Sequence, residues 1–350
     1  MEGSLMRLWR YGHAIEHLGQ RYHLEGFLGS GGMADVCLAR DEQEKREVVI
    51  KLIKTDELDQ RVLDRFVQDT AQIAQWHHPN ILHIYDDLAS ELIEQTLAVP
   101  YIVMEYAQGG DLQKRLNPGR PYPLSAILSI FPQLCSAISH AHEHGIIHRN
   151  LKPSNVLFRI LPDDTEQVVV SDFGLAVEVD AAHYTYARGS TLPYMAPEQL
   201  RGQPLPASDI FALGVILYQL CTGRLPFRRT LLDLRPDEPL KPPLSPSLLQ
   251  PLLPRELDEV IFTALADDPE QRFSDATHFW ESARTALLSP PVRASHIHQL
   301  LFRSASSFPD NQKLSDVSDC PQSRRGEQQG ENSDSEPEGG DVENPPDSVL

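Results

Sequence analysis

The chain has 350 residues, 41% of them hydrophobic, a length that suits one large domain or two modest ones with a substantial core. Fifty Asp and Glu against 31 Lys and Arg leave a formal charge of −19, which argues against nucleic acid as the main ligand. No apolar run reaches the roughly 18 residues of a membrane span; the longest, Ile210 to Cys221, reads as a buried core helix.

In residues 1–21, read as an N-terminal extension, Glu2, Arg7, Arg10 and His13 break up the apolar residues, so a signal-peptide core is not expected. Cys37, Cys135, Cys221 and Cys320 stand without metal or redox spacing, which fits a reducing, cytoplasmic setting.

From Tyr22 to Tyr106 the pattern is of short strands around one helix. Tyr22-His23-Leu24 leads into Leu28-Gly29-Ser30-Gly31-Gly32-Met33-Ala34-Asp35-Val36 and then Cys37-Leu38-Ala39-Arg40, a strand, a glycine-rich turn and a strand. Gly29 and Gly31 lack a Cβ and would let backbone amides fold over a triphosphate; a plain turn reads the same way. Val48-Val49-Ile50-Lys51 is a β-branched strand ending in a lysine, a residue that alone would mark a solvated edge. Leu58 to Trp76 reads as an amphipathic helix with Val62, Leu63, Phe66, Ile73 and Ala74 at helical spacing, followed by His77-His78-Pro79-Asn80-Ile81. On that helix Asp69 is by itself an ordinary exposed acid. Tyr101 to Tyr106 is a buried-type strand leading to Gly109-Gly110-Asp111-Leu112.

Ser125 to His144 reads as a long helix with Pro132 as a kink. His140, His142, His144 and His148 follow closely, but no cysteine or carboxylate cluster completes a tetrahedral metal site. Next come His148-Arg149-Asn150-Leu151-Lys152-Pro153-Ser154-Asn155, a surface loop from Leu161 to Gln167, and the strand Val168 to Ser171 ending at Asp172-Phe173-Gly174. Ala196-Pro197-Glu198, Asp209-Ile210-Phe211-Ala212-Leu213-Gly214 and Asp268-Pro269-Glu270-Gln271-Arg272-Phe273 complete the series, and Arg228 to Pro254 between the last two is proline-rich. From Ser304 on, eleven Asp/Glu against three Lys/Arg, with many Ser, Gln, Gly and Pro, make a segment that cannot offset its ordering entropy and is expected to be disordered. It serves either as an acidic interaction tail or phosphosite carrier, or as a solubilising terminus.

These motifs in this order resemble the protein kinases, and the Gly-Gly-Met turn resembles the bacterial branch of the Hanks-type serine/threonine kinases. The resemblance covers about Tyr22 to Leu288. It implies an α+β bilobal fold, with a β-rich N-lobe over 22–106, a mainly helical C-lobe over 107–288, and a linker and acidic tail over 289–350. It implies ATP and Mg²⁺. Leu28, Gly29, Ser30, Gly31, Gly32, Val36 and Val49 would surround the nucleotide, and Lys51 would hold its phosphates. Asp69, ten residues before Pro79, would pair with Lys51. Met104 would be the gatekeeper, and Glu105 to Ala107 the hinge that bonds adenine. Asn155 and Asp172 would hold the metal; Lys152 and Thr191 would belong to the catalytic machinery; Asp209 would anchor the catalytic loop, and Arg272 would pair with Glu198. Tyr184, Thr185 and Tyr186 would be either phosphosites able to pair with Arg149 or ordinary loop residues, and the helix expected within 228–254 would be shortened.

Four positions depart from the family pattern. Asn150 replaces the aspartate that accepts the substrate proton, Asp69 replaces a glutamate, Val49 replaces an alanine that faces adenine, and Ser190 replaces a glycine. An amide has no basic site at neutral pH. The expectation is therefore an ATP-binding pseudokinase acting as a signalling scaffold on a protein partner, with an active serine/threonine kinase as the alternative. A small-molecule phosphotransferase is disfavoured by the Ala196-Pro197-Glu198 and Asp209 features.

Overall fold

The computed structural model describes residues 8–10, 13–15, 17–31, 34–54, 60–93, 97–173, 191–227 and 240–290. Strand β1 (Leu8–Arg10) pairs antiparallel with β2 (His13–Ile15). A sheet then forms from β3 (His17–Leu18), β4 (Tyr22–Ser30), β5 (Ala34–Asp41), β6 (Arg46–Ile53), β7 (Ile84–Ile93) and β8 (Leu97–Glu105), in the order β3-β4-β5-β6-β8-β7 with antiparallel neighbours. The helix α1 (Gln60–Ala74) lies between β6 and β7 in sequence and packs on β7.

Side chains alternate across a strand, and in β6 this sorts two small cores. Val48, Ile50 and Leu52 pack with Leu18, Tyr22, Leu24, Cys37 and Ala39 on one face. Val49 and Ile53 pack with Ala34, Phe66, Met104 and Ala107 on the other. Lys51 shares the parity of Val49 and Ile53, and its side chain is only 10% exposed. The β6 sequence is nearly all apolar because both faces are covered.

The second half is helical. After α2 (Leu112–Arg115), whose first turn is capped by Asp111 accepting from Lys114 N at 2.9 Å, comes α3 (Leu124–Glu143). Pro132 sits inside α3, where Gln133 Nε2 donates to the Ser129 carbonyl at 2.9 Å. A hairpin of β9 (Val156–Ile160) and β10 (Glu166–Val170) follows. The loop expected over 161–167 is thus an exposed turn whose last two residues already belong to β10. Then come α4 (Pro197–Leu200), α5 (Pro206–Thr222), α6 (Pro246–Leu249), α7 (Glu256–Ala264) and α8 (Ala276–Leu287). Helix α5 is buried from Ser208 to Tyr218 without interruption and is the central post of this half. It stops at Gly223, with φ 70°, where an added Cβ would lie 2.3 Å from Arg120 N.

Ile210 to Cys221 lies in the buried core helix α5 as expected, but the expectation that no apolar segment reaches the length of a membrane span needs correction. Helix α3 has 20 residues, and an 18-residue window within it has a mean hydropathy of 1.3, long and apolar enough to cross a membrane by length and composition. Its Ser, Gln and Pro residues break the apolar run, but its Leu, Ile, Phe and Ala residues keep the average high and Glu143 is its only Asp, Glu, Lys or Arg. In this fold Ile127, Phe131, Leu134, Ile138 and Ala141 of α3 are buried in the helical core against α5 and α8. The segment expected to be disordered, from Ser304 on, lies outside the described residues.

Candidate active site

The loop between α3 and β9 is built around one carboxylate. Asp209, 1% exposed in the first turn of α5, accepts from His148 N at 2.8 Å and from Arg149 N at 2.9 Å. The same carboxylate bonds His142 Nε2 at 2.8 Å. Arg149 has φ 64°, a costly conformation for a side chain with a Cβ. It is fixed from both ends, by Asp209 at its amide and by Gln199 Nε2 donating to its carbonyl. His148 is fully buried, accepts from Asn150 N at 3.2 Å through Nδ1, and directs Nε2 to the Ser171 carbonyl at 3.0 Å. That pattern assigns the proton to Nε2. Burial also pushes the imidazole pKa down and favours this neutral form.

Asn150 is half-buried, and its side-chain amide has no hydrogen-bond partner among the described residues. Its carbonyl accepts from Asn155 Nδ2 at 2.8 Å, and the Asn155 carbonyl accepts from Ser171 N at 3.0 Å, beside Asp172. Lys152 Nζ donates to Thr191 Oγ1 at 2.9 Å. Asp172, with φ 67°, forms an ion pair with Lys51 at 2.9 Å, with the two side chains 26% and 10% exposed. Burial alone would raise the Asp172 carboxyl, but the Lys51 ammonium, with a smaller contribution from Lys152, holds it below the usual carboxylate value.

Asp69 does not reach Lys51. The pairing expected of it is replaced by an i,i+4 contact with Arg65 at 4.0 Å. Burial pushes the Asp69 carboxyl up, against the pull of Arg65 and Arg149. The neighbouring Thr70, 2% exposed, faces the space shared by Lys51, Asp172 and Phe173 instead. The physical reason is reach: an aspartate arm is one methylene shorter than a glutamate, and Lys51 has a nearer carboxylate in Asp172.

At the junction of the two halves, Val49, Met104 and Ala107 are buried in one apolar cluster, with Val36, Tyr106 and Leu157 partly buried against them. The Ala107 amide has no hydrogen-bond partner among the described residues, so a donor is left at this cluster. The Glu105 side chain is turned elsewhere: Arg159 of β9 holds both its oxygens, one through Nη2 at 2.6 Å. In the glycine-rich turn, Leu28 is 49% exposed, Gly29 pairs with Val36, and Gly31 N closes the turn onto the Ala34 carbonyl at 2.7 Å. An apolar cluster for a base, an unbonded amide beside it and a lysine–carboxylate pair are groups of the kinds that a nucleotide with a divalent cation requires. Such a cation commonly takes one or two carboxylates and completes its shell with phosphates and water.

Glu198 and Arg272 form a buried ion pair with two bonds of 2.7 and 2.8 Å, and Ser208 Oγ adds a third contact to Glu198 at 2.6 Å. The histidines do not converge on a metal: His142 and His148 turn to Asp209 and Ser171, while His140 and His144 pack on Trp76. No cluster of three or more His, Cys, Asp or Glu fit for a metal occurs among the described residues. Gly32, Gly174, Tyr184, Thr185, Tyr186 and Ser190 lie outside the described residues. Three contributors escaped the sequence reading: Gln199, Arg159 and Lys54. Lys54 alone carries a signal, being three residues past Lys51 and so of opposite strand parity.

The protein kinase domain family matches residues 22–283, and the chain belongs to that family. Among curated relatives it is 35% identical to the serine/threonine-protein kinase PknB of Mycobacterium leprae over 266 residues, 74% of this chain and 42% of that one. It is 34% identical to the serine/threonine-protein kinase PrkC of Bacillus subtilis over 276 residues, 76% and 40% of the two chains. The chain thus spans about two fifths of the length of the curated relatives it matches. The crystal structure of the Mycobacterium tuberculosis PknI kinase domain superposes with a TM-score of 0.62 at 25% identity, over 78% of this chain and 99% of that domain.

Proposed function

We propose that this chain binds Mg²⁺ and ATP in the cleft between its sheet and its helical half, and that it transfers phosphate to protein serine or threonine slowly or not at all. The observation that carries this reading is Asn150. Its backbone is held by His148 and Asn155, and its side chain ends in an amide with no proton-accepting function. The bound cation would neutralise charge on the phosphates. Asp172 and the side-chain oxygen of Asn155 are its proposed holders, Lys51 the proposed phosphate contact, and the Ala107 amide the proposed adenine donor. Lys152 and Thr191 would orient a substrate hydroxyl, but no group at position 150 would take its proton.

A slow transfer stays within this reading, because phosphoryl transfer relies mainly on positioning and charge neutralisation. The retained Lys152–Thr191 contact supports that second possibility. The test is a thermal-shift titration with Mg²⁺ and ATP alongside a γ-phosphate transfer assay on the purified chain. A nucleotide response with little or no transfer is expected. No response to ATP removes the binding proposal, and rapid transfer removes the claim of impairment.

A further inference from the structure

Lys54 stands just past the end of β6 and makes three contacts with the glycine-rich turn. Its Nζ donates to Ser30 Oγ at 2.9 Å and to the Gly31 carbonyl at 3.0 Å, and pairs with Asp35 Oδ1 at 2.9 Å. Ser30 and Asp35 are themselves cross-strand partners in β4 and β5, so one ammonium joins both arms of the turn to the strand that carries Lys51. Along β6 the parity alternates: Lys51 and Ile53 face the cleft, whereas Leu52 lies in the core on the opposite face. Asp35 stands opposite Leu52 in the ladder and shares its face, so Lys54 meets Asp35 on the face away from the cleft.

The cost of ordering a glycine-rich turn is large, because glycine has the most backbone freedom to lose. An ammonium that fixes the turn beforehand removes part of that cost from nucleotide binding.

We propose that Lys54, acting through Ser30, Gly31 and Asp35, is a positioning residue that presets the glycine-rich turn for the phosphates of a nucleoside triphosphate. This rests on the nucleotide reading above. Lys54 does not itself touch the nucleotide, and its effect is confined to the phosphate-bearing part of the ligand.

The experiment compares Lys54→Met and Lys54→Arg with wild type, using a fluorescent ATP analogue with Mg²⁺, unlabelled adenosine as competitor, and melting temperature as a folding control. Lys54→Met is expected to weaken the triphosphate about tenfold, about 1.4 kcal/mol, while adenosine affinity stays within twofold. Lys54→Arg should recover most of the loss, since it keeps the charge and the donors. Triphosphate affinity within twofold of wild type in a folded Lys54→Met protein overturns the inference. So does an equal loss for adenosine, which would mean general damage to the lobe. If wild type binds adenosine and triphosphate equally well, no phosphate contact exists for Lys54 to position, and the inference also falls. Wild type that binds neither overturns the nucleotide reading together with this one.

Discussion

Replacing Asn150 with Asp changes an amide into a carboxylate in nearly the same volume, at a backbone position already fixed. The Asn150 amide is bonded to His148, its carbonyl to Asn155, and the preceding two amides to Asp209, so the new carboxylate inherits a built location. Its side chain is half-buried and gives up no hydrogen bond among the described residues, so the stability change should stay within about 1 kcal/mol. A positioned base contributes about 10²- to 10⁴-fold, roughly 3 to 5 kcal/mol of barrier. Asn150→Asp is therefore expected to raise γ-phosphate transfer, measured with radiolabelled ATP on a serine-containing protein substrate, by about 10²-fold or more. Adding Asp69→Glu should raise it further only once the base is present, because a longer arm can then compete with Asp172 for Lys51. If wild type already transfers as fast as Asn150→Asp, position 150 does not limit this protein. If the single variant does nothing and the double variant does, the misplaced Asp69 was limiting instead.

Two further perturbations test the frame around the site. Arg272→Met leaves the buried Glu198 carboxylate with Ser208 as its remaining side-chain partner among the described residues, and should cost about 3 to 5 kcal/mol, or about 10 °C in melting temperature; a change under about 2 °C would refute the assigned weight of this pair. The imidazoles of His78, His140 and His148 are all pushed down, first by burial. Neutral in the fold and protonated near pH 6.5 when unfolded, they contribute stability that is present above about pH 6.5 and lost as pH falls from there through their folded values. Melting temperature should accordingly drop between pH 7.5 and 5.5, and less so in His78→Gln/His140→Gln, a comparison that separates these residues from the general titration of an acidic chain. Parallel profiles for the two proteins would contradict the assignment.

How much of this was legible beforehand depends on whether a residue's role is local. Lys51, Asn155 and Asp172 announce themselves because each stands in a recognisable run, although β6 runs two residues past Lys51 to Ile53, and the β6 pattern of Val48 to Ile53 follows from burial on both faces. The Glu198–Arg272 pair spans 74 positions and was reachable only through the family resemblance, since nothing in composition ties the two. Asp69 shows the limit of such transfer: its position along α1 was read from the distance to Pro79, but its partner depends on a side-chain length and on the competing Asp172. Gln199 and Arg159 act on backbone and hinge groups through contacts that leave no periodic trace. Helix α3 is legible as a helix from its apolar spacing, but Pro132, Gln133 and its serines leave no unbroken apolar run, so its span-like average shows only when a window is summed.

The Lys51–Asp172 pair makes one more demand on the proposed ligands. In this structure the ammonium meant for phosphates and the carboxylate meant for a cation neutralise each other at 2.9 Å. A cation approaching Asp172 must displace Lys51, and phosphates approaching Lys51 must displace Asp172. Each ligand thereby frees the group that the other requires, and the cost of breaking the pair is met once for two binding events. Linkage then requires each to raise the affinity of the other, typically about 5- to 150-fold. Part of any such effect belongs to the cation–ATP complex in solution, so the protein's share is read as a difference. Mg²⁺ should strengthen ATP binding more in wild type than in Asp172→Asn, where Lys51 faces no charge and is free from the start. An Asp172→Asn protein that binds ATP without Mg²⁺ no better than wild type does, and shows the same enhancement by Mg²⁺, would mean that the pair is a bystander.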